Sequence, residues 1–175
     1  TFENNKGAGI ALYLAPLSGK SDPISITFEN CRVRSDRGPG IFVGAIKDDG
    51  PNGSIIFRKC TVEDAAGYGL WIRGKAAHRA KVVFDRCAWK RTASNAKDHP
   101  LLFGYRDAKE VKLMGGIEFR NCMVEDDRDR PFLSLDDRGT GFGLSGVTGT
   151  IRVKNLHGKR MDLGTGKAGA NIQIK

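Results

Sequence analysis

The chain has 175 residues, of which 39% are hydrophobic and 28% charged, an ordinary soluble balance with no apolar run long enough to span a bilayer and no visible signal peptide. Its 23 glycines favour strands and turns over long helices. The net charge of +9 points to an anionic partner (nucleic acid, acidic polysaccharide or anionic lipid), with a basic surface that merely aids solubility as the alternative.

From the N-terminus onward a phenylalanine-marked unit recurs: Phe2, Phe28, Phe57, Phe84, Phe119 and, with valine in its place, Val153. The intervals are uneven, which suits a coil with fixed strands and variable loops. Each unit opens on a strand with alternating apolar residues, such as Ile26 and Phe28, Ile55 and Phe57, or Val82 and Phe84. A polar pair follows, then cysteine and valine two apart, as in Cys31 and Val33. After a glycine-rich or polar turn comes a second apolar run: IALYLA, IFVGAI, LWIRGK, LLFGYR and FLSLDD in turn. Equivalent strands one repeat apart stack in parallel. NIQIK at the C-terminus supplies a final strand.

The pattern h-x-h-x-F-x-N-C-x-V followed by G-x-G-h-x-h resembles the repeat of the pectate-lyase-like superfamily. The resemblance implies an all-β, single-stranded right-handed parallel β-helix of about six rungs. One domain over residues 1–175 is expected, the later part of a longer chain or one capped by a partner, because TFENN already looks like the middle of a repeat. In that superfamily a tight turn carries stacked asparagines; Asn4, Asn30, Asn121 and Asn155 fill this slot, with Lys59 and Arg86 as departures. Asparagine suits the left-handed conformation and its amide can bond between rungs.

All four cysteines share one phase, so Cys31, Cys60, Cys87 and Cys122 form a column with Asn5 before it and Leu156 after it. A linear stack cannot give the tetrahedral convergence that zinc needs. In-register Cβ vectors are badly posed for disulfides. The expected role is that of small buried hydrophobes.

Charges also fall into columns: Arg34, Glu63, Lys90, Glu125 and Lys159, and beside them Ser35, Asp64, Arg91, Asp126 and Arg160. The signs alternate from rung to rung, so the acidic pairs act as neutralising steps. No metal or cofactor is expected, calcium being the alternative reading of the carboxylates. A nucleic-acid interface would need a contiguous basic stripe, which the alternation disfavours.

By resemblance, the substrate cleft lies along the sheet made by the second apolar runs. Alternation places Ile10, Leu12, Ile41, Val43, Leu70, Ile72, Leu133 and Leu135 inward, and Tyr13, Phe42, Trp71, Arg73 and Asp136 outward. Tyr13, Phe42 and Trp71 offer an apolar platform for a sugar ring, and Arg73 a fork for a carboxylate or sulfate. Turns covering these rings are the alternative. The KRTASNAKDHP turn brings Lys97, Asp98 and His99 near the sheet, and EDDRDRP brings Asp127, Arg128, Asp129 and Arg130. A lyase on a uronic-acid chain needs a cation, a base and an acid, for which Arg73, Lys97, His99 and Arg106 are candidates. A hydrolase needs two carboxyls, with Asp136 and Asp137 nearest. His78 and His157 read as surface residues.

The chain has an R-V-K at Arg152 but no G-H-G, so polygalacturonase activity is not assigned. The expected function is therefore a carbohydrate-active protein, lyase-like or hydrolase-like, acting on an anionic polysaccharide. The alternative is a non-catalytic glycan-binding or assembly module. The expected location is secreted, cell-surface or periplasmic.

Overall fold

The structure, a computed structural model, describes residues 1–14, 23–45, 52–74, 80–95, 99–104, 116–136, 147–155, 161–162 and 171–175. Its strands fall into three columns. The first holds β3 (Ile24–Glu29), β6 (Gly53–Arg58), β9 (Lys81–Asp85) and the first half of β12 (Ile117–Asp126). The second holds β1 (Phe2–Asn5), β4 (Arg32–Ser35), β7 (Thr61–Glu63), β10 (Ala88–Lys90) and the second half of β12. β14 (Val147–Asn155) pairs along β12 through both columns, and β16 (Asn171–Ile174) closes on β14. These columns form a ten-stranded sheet. The third column is a six-stranded sheet: β2 (Ile10–Leu14), β5 (Ile41–Ala45), β8 (Leu70–Gly74), β11 (Leu101–Gly104), β13 (Leu133–Asp136) and β15 (Met161–Asp162).

Neighbouring strands pair in parallel throughout the described residues. The result is the expected all-β parallel solenoid, with about four turns. Six full rungs are not established. The first described coil starts in the second column, and the last has only Met161–Asp162 in the third.

In-register stacking builds the core from repeated side chains. Phe28, Phe57, Phe84 and Phe119 stack with centroids 4.9, 5.1 and 5.3 Å apart and planes within 15°. Val33, Val62, Trp89 and Val124 form the next inward column, all at most 1% exposed. From the third column come Ile41, Val43, Leu70, Ile72, Leu101, Phe103 and Leu133, each 0% exposed. Ile10 is buried and Leu12 packs partly buried against the same core.

The corner between the first two columns is turned by one left-handed residue per coil: Asn30 (φ 54°), Lys59 (φ 51°), Arg86 (φ 55°) and Asn121 (φ 52°). Lys59 and Arg86 accept this conformation at a cost that asparagine lessens. Each coil then brings its backbone to the next: Asn30 N–H donates to Arg58 O, Lys59 N–H to Asp85 O and Arg86 N–H to Arg120 O. The corner into the third column needs glycine for another reason. A Cβ on Gly40 would lie 2.1 Å from Val62 Cγ1.

Register at the two ends departs from the sequence reading. Phe2 pairs with Val33, so it stands in the second column and not among the marker phenylalanines. Asn4 (φ 57°) belongs to a second left-handed corner with Asp64 (φ 51°) and Arg91 (φ 48°). Asn5 pairs with Ser35, outside the cysteine slot. At the other end Gly149 pairs with Phe119, Ile151 with Cys122 and Val153 with Val124. Val153 is therefore not the sixth marker, and Asn155, opposite Asp126, is not a corner asparagine. The physical reason is a register shift: between Phe119 and Cys122, β14 crosses the corner with one residue fewer than β12. Leu156 lies outside the described residues.

The four cysteines are free thiols in one column, Cys31 half-buried and the others buried. Burial is not their only contribution. Each inner thiol donates to the carbonyl of the phenylalanine one coil below: Cys60 Sγ to Phe28 O (3.4 Å), Cys87 to Phe57 O (3.3 Å) and Cys122 to Phe84 O (3.2 Å). The adjacent Cys122 thiol, together with burial, pushes the Cys87 pKa up to about 12; the Cys87 thiol and burial raise Cys60 further.

Two outcomes follow from this core. Phe57→Ala opens a gap in the phenylalanine stack and should cost about 3–5 kcal/mol in urea unfolding. The raised Cys87 pKa stabilises the neutral thiol of the folded state, so its contribution is complete below the ordinary thiol value of 9.0 and is lost as pH rises towards about 12. Denaturation midpoints measured across that window should fall, and fall less in Cys87→Ala.

Candidate functional site

The outer face of the six-stranded sheet is set by parity. Ile41 and Val43 point into the core, so Phe42 between them faces out; the same holds for Trp71 between Leu70 and Ile72. Register then aligns Ala11, Phe42, Trp71, Leu102, Ser134 and Asp162 in one row across six strands. The adjoining row runs Tyr13, Gly44 and Arg73, with Asp136 opposite Gly104 further along.

Aromatic rings on this face touch in series. Tyr13 and Phe42 are 5.1 Å apart, Phe42 and Trp71 5.2 Å in an edge contact, and Trp71 and Tyr68 5.5 Å. Their exposures differ sharply. Tyr13 is 65% exposed and Trp71 half-buried, whereas Phe42 is only 5% exposed. Phe42, expected as an open stacking surface, is a covered ring that holds Tyr13 and Trp71 in place. Leu102 (5%) and Ser134 (7%) in the same row are also covered, so among the described residues the open part of this row lies at the β2–β8 end.

The catalytic candidates do not all lie within reach of description. Lys97 and Arg106 lie outside the described residues, as do Asp98, Asp137, His78 and His157. Arg73 and Asp136 are placed by their backbones only, in β8 and β13. His99 is half-buried just before β11, with Nδ1 3.1 Å from Pro131 O. A carbonyl only accepts, so Nδ1 carries a hydrogen in this contact.

The EDDRDRP turn has a different job from the one expected. Arg130 is 8% exposed and folds back under the preceding coil. Its guanidinium meets Asp126 through two bonds (2.7 and 3.0 Å) and donates to Thr92 O (2.8 Å) and Ala93 O (2.6 Å). Arg128 donates to Ser94 O at 2.6 Å. The turn is a clamp between successive coils, and it steadies Ala93, a left-handed residue (φ 54°). Its partners are main-chain carbonyls, which leave no trace in a sequence; only the Asp126–Arg130 spacing hinted at it.

The charge columns alternate as expected with two corrections at the last coil, where Asn155 stands opposite Asp126 in the place expected for Arg160. Glu63 pairs with Lys90, Lys90 with Glu125 and Glu125 with Lys154, so Lys154 takes the place expected for Lys159. Lys159 and Arg160 are outside the described residues. Asp64 is bridged by Arg34 (2.6 Å) and Arg91 (2.8 Å), and Glu63 meets Arg32. The Arg91 and Arg34 guanidinium bonds hold the Asp64 pKa down at about 2. A third alternating column, unforeseen from the sequence, runs Glu29, Arg58, Asp85 and Arg120 on the ten-stranded sheet. Among the described residues no cluster of three or more His, Cys, Asp and Glu side chains forms a metal cage.

A family model for right-handed β-helix regions matches residues 1–88. The chain belongs to that family. Its stacked coils, left-handed corners and parallel columns carry the same architecture beyond the matched segment, through β16. No curated protein and no solved structure matches this β-helix.

Removing the clamp tests its role. Arg130→Ala leaves Asp126 buried without its partner and should cost about 3–5 kcal/mol in chemical unfolding. Asp64 gives a pH signature of opposite direction to Cys87. Its lowered pKa stabilises the fold above the ordinary carboxyl value of 3.8, and that contribution disappears as pH falls towards about 2. Carboxyl titration by NMR should show the Asp64 midpoint rising in Arg91→Ala.

Proposed function

We propose that this β-helix is a carbohydrate-active protein that recognises an anionic polysaccharide along the outer face of its six-stranded sheet. The observation that carries the reading is the pair of accessible rings Tyr13 and Trp71, held apart by the covered Phe42 on the strand between them, with Arg73 in register with Tyr13 through Gly44. An aromatic face takes the apolar side of a sugar ring, and a guanidinium takes its carboxylate or sulfate in a forked pair. The net charge of +9 favours the encounter with a polyanion. A polysaccharide ligand agrees with a secreted, cell-surface or periplasmic location.

A lyase-like reaction is the second reading, and His99 favours it. With Nδ1–H donated to Pro131 O, the ring is held by one nitrogen, and Nε2 is the nitrogen that would take the proton. In such an elimination the base takes the C5 proton of a uronic acid, the C4–O bond breaks and a C4=C5 double bond forms. Arg73 or Arg106 would neutralise the carboxylate, and Lys97 would protonate the leaving oxygen. Hydrolysis would turn instead on Asp136 and Asp137, two carboxyls flanking the bond.

Incubation with polyuronides and sulfated glycans separates these chemistries. Retention on an immobilised polyuronide should fall about tenfold in Trp71→Ala, about 1.4 kcal/mol of binding, and similarly in Arg73→Gln. New ultraviolet absorbance from unsaturated ends, lost in His99→Ala, would establish the lyase. Chain shortening without that absorbance would establish hydrolysis. Retention with no product would leave a binding module, and no retention of any polyanion would refute the proposal.

A further inference from the structure

We propose that the notch where the first corner column ends binds an oxyanion: the carboxylate, sulfate or phosphate group of a ligand. The notch lies on the opposite side of the coil from the aromatic face and does not depend on the function proposed there. Its origin is the missing corner residue of β14. Asn30, Lys59, Arg86 and Asn121 stack one above another, and β14 then crosses from Gly149 (φ 113°) to Ile151 with one residue fewer, so that no residue of their kind continues the stack. A cleft of about 340 Å³ opens at that step, lined by Arg86, Asn121, Met123, Thr150, Arg152 and Lys175 among others, none of them acidic.

The placement of the two outer cations is the decisive feature. Ile151 and Val153 are buried, so Arg152 between them faces outward. Lys175 N–H donates to Ile151 O, and Val153 N–H donates to Lys175 O, both at 3.0 Å. A residue that bonds both neighbours of Arg152 in this way lies directly across from it in a parallel ladder. Two like charges therefore stand side by side, an arrangement that destabilises a sheet. Along two neighbouring columns of the same sheet signs alternate, Glu29–Arg58–Asp85–Arg120 and Glu63–Lys90–Glu125–Lys154, and where like charges follow each other at the corner, Lys59 and Arg86, the second is neutralised by Asp85. Arg86 is occupied by Asp85, with bonds of 3.0 and 3.2 Å. Among the described residues neither Arg152 nor Lys175 forms an ion pair.

An oxyanion at this point resolves the repulsion. The Arg152 guanidinium offers paired N–H donors and Lys175 a point charge. The Thr150 hydroxyl and the Asn121 amide line the same cleft and supply neutral donors, and Met123 supplies an apolar wall.

Calorimetric titration at low ionic strength, of the whole chain with inorganic sulfate and of its Trp71→Ala/Arg73→Gln variant with an oligogalacturonate so that the aromatic face does not contribute, tests the site. Saturable one-to-one binding of either probe is expected, weakened at least tenfold in the double variant Arg152→Gln/Lys175→Gln. Trp71→Ala should leave sulfate affinity unchanged, which separates the notch from the aromatic face. A tighter oligogalacturonate would mean that the group belongs to a glycan chain; equal or tighter sulfate would mean a free ion. Without any anion, Arg152→Gln alone should melt higher than the native chain, because the repulsion is gone. Absence of saturable binding by both probes, or affinity that survives in the double variant, would overturn the proposal.

Discussion

Everything in this molecule depends on parallel, in-register stacking of one coil upon the next at about 4.8 Å. At that spacing a side chain has no choice of company: its neighbours above and below come from the same slot of the repeat. Identical rings therefore stack face to face, as the four phenylalanines do. Identical charges would repel, so the charged columns alternate. The three inner thiols gain a hydrogen-bond acceptor, because the carbonyl of the phenylalanine one coil below lies at donor distance from Cys60, Cys87 and Cys122. Packing, electrostatics and polar satisfaction are answers to one geometric demand.

That demand explains why the interior was legible in the sequence. A slot that must stack on itself is filled by the same residue type repeatedly, and Phe28, Phe57, Phe84 and Phe119 announce it. The corner could be read as well, even where Lys59 and Arg86 replace asparagine, because the repeat places them between an apolar strand and a cysteine. The two ends were misread for a physical reason. Both corners of the coil use left-handed residues, so Asn4 could not be assigned to the first or the second from its identity. Along β14 the apolar alternation of Ile151 and Val153 survives a shift of slot, so nothing in the pattern reveals the lost corner residue.

The candidate site was legible in direction and not in access. Parity places Phe42 and Trp71 on the outer face, yet the burial of Phe42 depends on what lies over that face, which alternation does not encode. The acidic and basic turn after β12 looked like chemistry because its residues are those of chemistry. Its Arg130 is used instead to tie carbonyls of the coil before it, Thr92 and Ala93, to Asp126 of its own coil. Charges bought for structure and charges held for ligands are distinguished here by their partners, and partners become visible only in three dimensions.

The Arg130 clamp has a consequence for how such a chain acquires its shape. In a solenoid each coil touches only its neighbours, so order spreads from a nucleus one coil at a time and frays from the ends. A guanidinium that must leave water to reach Asp126, Thr92 and Ala93 together forms its bonds only when two successive coils are already seated. It adds little to the first coil laid down and much to the commitment of the second. The β10–β12 step should behave as a kinetic latch: slow to open once closed, with the coils on either side of it free to loosen first.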